Sequence, residues 1–182
     1  GNPISTGNLH VMRSGTLAFY DLDEDSGMHY FGGVRPSCTI SAVPAQGLVF
    51  AVEGSSSCSC NYNFKTTLAL APAKKRRHED WAMFTASLSP GALLRSGRLN
   101  LAAPGDRRDD NGELWLQYPR APTYSKQTIP VPVQLLGKLL RPYRLNADHL
   151  PIANTDRPWL YASGFEGLGG LRAGADLVEV QR

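Results

Sequence analysis

The feature that most constrains this 182-residue chain is its punctuation. From Leu9 to Pro72, apolar runs of about four to eight residues are cut repeatedly by glycine, proline, acidic or serine-rich turns, the pattern of short antiparallel strands. Leu9-His10-Val11-Met12 meets Arg13-Ser14-Gly15; residues 16–22 meet Asp23-Glu24-Asp25-Ser26-Gly27; residues 28–31 lead away. Residues 39–43 meet Pro44-Ala45-Gln46-Gly47, residues 48–52 meet a Ser-rich loop, and residues 64–71 come next. The 18 glycines and 13 prolines make up about 17% of the chain, against roughly 12% in average usage. The expectation is an all-β chain in which Leu17, Phe19, Val49, Phe50, Leu68 and Leu70 are mostly buried between stacked sheets.

The charge run Lys74-Lys75-Arg76-Arg77-His78-Glu79-Asp80 breaks this pattern and reads as a solvated linker between two regions. Beyond it, residues 80–84 suit a helical turn or an edge strand. Residues 98–102 and 113–118 flank Asn111-Gly112, a hairpin signal. Ile129-Pro130-Val131-Pro132-Val133 suits extended or edge structure, because proline cannot donate to a central ladder. Residues 133–140 have a helical apolar period, and the glycine-rich 164–170 stretch reads as a flexible turn lacking the Lys-Ser/Thr of a phosphate loop.

An internal echo relates residues 9–22 to Gly47-Leu48-Val49-Phe50 and Thr67-Leu68-Ala69-Leu70-Ala71, and repetition of this kind belongs to propeller blades. Gly15-Thr16-Leu17-Ala18-Phe19-Tyr20-Asp21-Leu22-Asp23 with Ser26-Gly27 resembles the outer half of a quinoprotein-type repeat. Phe31-Gly32-Gly33-Val34-Arg35-Pro36-Ser37-Cys38, Pro44-Ala45-Gln46-Gly47-Leu48-Val49 and Cys58-Ser59-Cys60-Asn61-Tyr62 resemble the closing blades of large secreted bacterial quinoprotein-like (PQQ-like repeat) β-propeller proteins. Residues 99–108, 112–119 and 158–164 resemble the region C-terminal to the propeller in those proteins.

The resemblance implies antiparallel propeller-type blades over residues 1–73, a charged linker at 74–80 and a β-rich appended region over 81–182. It implies a non-catalytic scaffolding or recognition segment of a larger extracytoplasmic protein, periplasmic, secreted or at the cell surface. Its partner would be the remainder of a longer polypeptide or neighbouring subunits, and glycan or protein its ligand. The alternative is a part of a quinoprotein-like oxidoreductase or carbohydrate-active enzyme whose site other segments complete. In quinoprotein dehydrogenases the cofactor stacks beneath a disulfide of adjacent cysteines; here the pair is Cys58-Ser59-Cys60 and the blades are too few to enclose an axis, so no cofactor is expected. The first residues, Gly1-Asn2-Pro3, carry no initiator methionine, as expected of a mature, processed or excised piece of a longer polypeptide.

The formal charge of +3, from 19 basic and 16 acidic residues, is a modest excess that would not by itself hold a polyanion, so nucleic acid is not expected. No run approaches the roughly 20 apolar residues of a membrane span. Of the three cysteines, Cys58 and Cys60 cannot easily bridge each other. A disulfide from Cys38 to Cys58 or Cys60 is expected, worth on the order of 3 kcal/mol; free buried thiols and a metal are the alternatives.

Asp21-x-Asp23-x-Asp25 has the alternating carboxylates of a calcium loop, but its sixth and twelfth places hold Ser26 and Gly32, where an EF-hand has Gly and a bidentate Glu. It reads as an acidic turn. Asp106, Asp109 and Asn111 form a second oxygen-rich loop, with Asp110 between them, and are candidate Ca²⁺ ligands. No nucleophile elbow is present, and His29 and His149 read as surface or satisfied groups rather than bases. Trp81, Trp115 and Trp159 are candidate stacking platforms for a sugar, since their rings offer apolar faces with a polar edge.

Overall fold

The computed structural model describes residues 2–25, 27–39, 42–53, 66–74, 77–84, 96–120 and 133–173. The Ser-rich loop after residue 53 and positions 129–132 of the proline-spaced run lie outside the described residues. The chain divides into two compact units, Gly1–Arg76 and Arg77–Arg182. The protein is all-β: among the described residues there are twelve strands, and the sole helix, α1 (Pro158–Tyr161), is one turn long.

The first unit holds two antiparallel meanders. Strands β1 (Ile4–Ser5), β2 (Leu9–Ser14), β3 (Thr16–Asp21) and β4 (Met28–Phe31) are neighbours in chain order, as are β5 (Val43–Ala45), β6 (Leu48–Ala51) and β7 (Leu68–Leu70). The turns are chemically specified. Gln46 and Gly47 both take positive φ, 53° and 72°, the two-residue hairpin turn whose twist matches the strands it joins. In the acidic turn after β3, one Asp21 carboxylate oxygen accepts the backbone N–H groups of Asp23 (2.9 Å) and Glu24 (3.2 Å). A short polar side chain thus replaces backbone pairing where the chain reverses.

The core of this unit contains Val11, Leu17, Val34, Ala42 and Ala51, with Leu9, Phe19, Val49, Leu68 and Leu70 packed against it. Register explains the set: Val11 pairs with Phe19 and Arg13 with Leu17, while Val49 pairs with Leu70 and Ala51 with Leu68. Of the residues expected to be buried, Leu17 is buried, whereas Phe19, Val49, Leu68 and Leu70 are half-buried. Phe50 is half-buried on the opposite face of its sheet from Val49, because neighbours along a strand point to opposite sides.

In the second unit, β8 (Arg98–Leu101), β9 (Arg107–Arg108) and β10 (Leu114–Tyr118) form a sheet of order β8-β10-β9. Asn111-Gly112 sits in a hairpin, but the hairpin joins β9 to β10; β8 lies parallel to β10 on its other side. A hairpin signal specifies a reversal and not which strand returns. The expected pairing of 98–102 with 113–118 is therefore corrected in direction. Residues 81–84 run extended at an edge, where Ala82 exchanges two 2.8 Å backbone hydrogen bonds with Asp106.

Two further expectations are overturned here. Residues 133–140 belong to a strand, β11 (Val133–Arg144), and the glycine-rich 164–170 stretch belongs to β12 (Ser163–Ala173), its antiparallel partner. Gly137 weakens a helix by about 1 kcal/mol relative to alanine, and Pro142 blocks its extension. Pairing decides the remainder. The glycines serve close approach: a Cβ at Gly137 would lie 2.2 Å from the Gly167 carbonyl oxygen, and one at Gly164 would lie 2.8 Å from the Tyr143 ring.

Candidate functional site

The chemically dense part of the described structure is in the second unit, where three tryptophans, four carboxylates and several arginines interlock. Trp159, from α1, stands edge-on to Trp81 (centroids 6.3 Å) and to Trp115 of β10 (5.7 Å). The Arg107 guanidinium lies 4.9 Å from the Trp159 ring centre and Arg98 lies 6.0 Å from that of Trp115. Trp159 is only 4% exposed, Trp115 is nearly as buried and Trp81 is half-buried.

Each carboxylate is engaged by protein donors. Asp106, 1% exposed, accepts the N–H groups of Phe84 (2.9 Å) and Gln117 (2.8 Å) and pairs with Arg120, whose other nitrogen donates to the Phe84 carbonyl (2.9 Å). Asp109 accepts from Asn111 N–H (3.0 Å), Glu113 N–H (2.9 Å) and the Trp115 indole (3.2 Å), and lies 3.2 Å from Arg157. It thereby closes the β9–β10 turn from within. The two oxygens of Glu79 take the Trp81 indole (2.9 Å) and the Ala147 N–H (2.7 Å).

The last carboxylate, Asp148, holds the end of the charge run. It accepts from His78 N–H (2.8 Å) and Glu79 N–H (3.4 Å) and from the Arg77 guanidinium (2.9 Å). Arg107 donates to the carbonyls of His78 (2.8 Å) and Asp80 (3.2 Å). Residues 77–80, read from the sequence as linker, are thus fastened into the second unit by polar groups far away in the chain. Nothing in the local pattern signals those partners.

The candidate calcium ligands Asp106 and Asp109 share this neighbourhood, but their oxygens face N–H donors; Asn111 is exposed and contributes its backbone N–H to Asp109. Among the described residues no group of three or more His, Cys, Asp or Glu side chains is placed to hold a metal ion. Trp115 and Trp159 have their faces within the protein, which leaves Trp81 as the one candidate platform with partial exposure. Cys38 is exposed and unbridged, with an Arg13 nitrogen 2.9 Å from its sulfur. Cys58 and Cys60, its expected partners, lie outside the described residues. His29 is buried and stacks on Phe19 at 5.1 Å, and His149 is exposed. Ser5 Oγ and His10 Nδ1 form a hydrogen bond at the surface between paired residues of β1 and β2.

In this arrangement the carboxylates hold backbone N–H groups in place. The partners of Asp106 and Asp109 are fixed N–H groups and guanidinium ions, as expected of carboxylates that replace missing backbone partners in loops.

The same contacts make stability depend on acid. Burial raises the carboxyl pKa of Asp109, but hydrogen bonds from Glu113, Trp115 and Asn111 and the charge of Arg157 outweigh it, leaving the pKa below its ordinary 3.8. Asp148 is likewise lowered: burial opposes, and His78, Arg77 and Glu79 prevail. A depressed folded-state pKa contributes stability that is complete above the unfolded value and is lost as pH falls through the folded one. Tryptophan fluorescence reports the second unit alone, because all three tryptophans lie there. Its denaturation midpoint is expected to be flat near neutrality and to fall below about pH 4. Replacing Asp109 by asparagine should flatten that acid limb, and an unchanged limb would remove Asp109 from the account.

No family model, curated protein or solved structure matches this chain.

Proposed function

We propose that the chain is a non-catalytic scaffolding and recognition segment of a larger extracytoplasmic β-propeller protein, with the first unit supplying consecutive blades. The observation that carries this reading is the β5–β6–β7 sheet, which is apolar on both faces. One face, Val49, Ala51, Leu68 and Leu70, joins the core. The other carries the cross-strand row Val43, Phe50 and Ala69 beside Ala45 and Leu48, with Val43 41% exposed. A sheet with one wet face alternates apolar and polar residues, whereas one covered on both faces is apolar throughout. Stacking blade on blade supplies such a second cover, because each blade packs between two neighbours.

The resemblance of the repeat motifs supports the quinoprotein-like family and the extracytoplasmic location. The second unit, with its carboxylates and indoles turned inward, suits an appended module that presents a surface. The direct test is the length of the natural polypeptide that carries these residues: a much longer chain is expected, and a natural product confined to these 182 residues would overturn the proposal. The isolated chain should give no turnover on ester, glycoside or alcohol substrates with Ca²⁺ and quinone supplied. A rate above about 1 s⁻¹, the low end for ordinary enzymes, would count against a non-catalytic role.

A further inference from the structure

The middle of β11 departs from regular pairing in a way that displays one side chain. Gly137 pairs with Leu168 and Arg141 with Glu166, so Lys138, Leu139 and Leu140 on one strand stand opposite Gly167 alone on the other. The bulge is held by backbone approach. A Cβ on Gly167, whose φ is +77°, would lie 2.3 Å from the Lys138 carbonyl oxygen, and Gly137 meets the Gly167 carbonyl as closely. Within it Leu139 takes φ +53° and is 84% exposed, the most exposed of the large apolar side chains described.

Two costs coincide at Leu139. A branched side chain is placed in left-handed backbone that favours Gly or Asn, and its apolar surface is left in water. Strain of this kind motivates a search for use. The neighbours indicate what would use it. Lys138 and Arg141 are exposed beside it, Arg144 and Arg172 are exposed on the same ribbon, and Glu166 is the acidic residue among β11 and β12. Tyr143, 38% exposed, adds an amphipathic ring on the same strand.

We propose that this bulge is a peripheral membrane contact, in which Leu139 enters the headgroup region of an anionic lipid surface while Lys138 and Arg141 neutralise lipid phosphates. The charge complementarity selects an anionic partner. A protruding apolar side chain on a two-stranded ribbon favours lipid over protein, because a protein partner needs a broad complementary patch of about 800 Å² per side. A headgroup plane accepts a single apolar projection flanked by cations.

The test uses the full chain and two kinds of vesicle, phosphatidylcholine alone and phosphatidylcholine with about 30% phosphatidylglycerol, a strongly anionic surface. Sedimentation should show about tenfold preference for the anionic vesicles, lost when salt is raised from about 0.1 M to about 0.5 M. Leu139→Asn should weaken vesicle binding about tenfold while leaving the thermal midpoint unchanged or higher, since asparagine accepts positive φ. Lys138→Glu with Arg141→Glu should abolish the anionic preference. Equal binding to both vesicles, Leu139→Asn binding as well as the parent chain, or retention on polyglutamate but not on vesicles would each overturn the proposal.

Discussion

Asp106→Ala is expected to destabilise the second unit by about 3–5 kcal/mol, the range for removing one partner of a buried charge pair. The size reflects the groups left behind. The Phe84 and Gln117 N–H groups lose their acceptor, and Arg120, 14% exposed at its side chain, keeps its charge without this counterion. A buried donor left unmade costs more than a made hydrogen bond contributes. Asp106 also ties three stretches together, residues 81–84, the start of β9 and the end of β10, so the loss is shared among them. Denaturant unfolding monitored by tryptophan fluorescence measures it. Asp106→Asn retains one carbonyl acceptor and should lose less; a loss under about 1 kcal/mol for alanine would mean that water replaces the carboxylate and that the site is open.

Trp159→Ala should cost about 3–5 kcal/mol as well, the range for deleting a large buried aromatic side chain. The ring is shared by two edge-on indoles and a guanidinium, so its removal leaves a void lined by Trp81, Trp115 and Arg107. The void would not collapse easily, since Trp115 is fixed by Asp109 and Trp81 by Glu79. Trp159→Phe fills part of the space and should recover part of the loss. The measurement also separates two roles for the indole. A sugar-stacking tryptophan lies at the surface and its removal weakens binding with little effect on folding, so a stability change below about 1 kcal/mol with loss of glycan binding would restore the stacking reading.

Most strands of the first unit were legible because their cause is local, although β5 lies at Val43–Ala45 and not at 39–43, with Pro44 and Ala45 paired in the strand and only Gln46-Gly47 left to turn. Gly15, Gln46-Gly47 and the Asp21 turn carry the backbone requirements of reversals in their own residue types, and apolar alternation between them specifies which face is buried. Phe50 shows the limit: its neighbour Val49 is as apolar, and only register assigns one to the core and the other to the outer row. The charge run shows a different limit. Lys74 to Asp80 has the composition of a solvated linker, yet Asp148 and Arg107 bind its last four residues into the second unit.

Composition and spacing by themselves determined that the first unit is made of short strands, since glycine, proline and acidic turns act within a few residues. They also put Asp106, Asp109 and the three tryptophans in the polar-aromatic region after the charge run. Only the tertiary structure decided what those groups do. A carboxylate at the surface and one that caps a buried loop are written with the same residue, and the difference lies in donors such as Arg120, Arg157 and Trp115 brought from elsewhere. The β11–β12 ribbon is the sharpest case: a helical period and a glycine-rich stretch become paired strands because each supplies the other's hydrogen bonds, a contribution that no window on either segment contains.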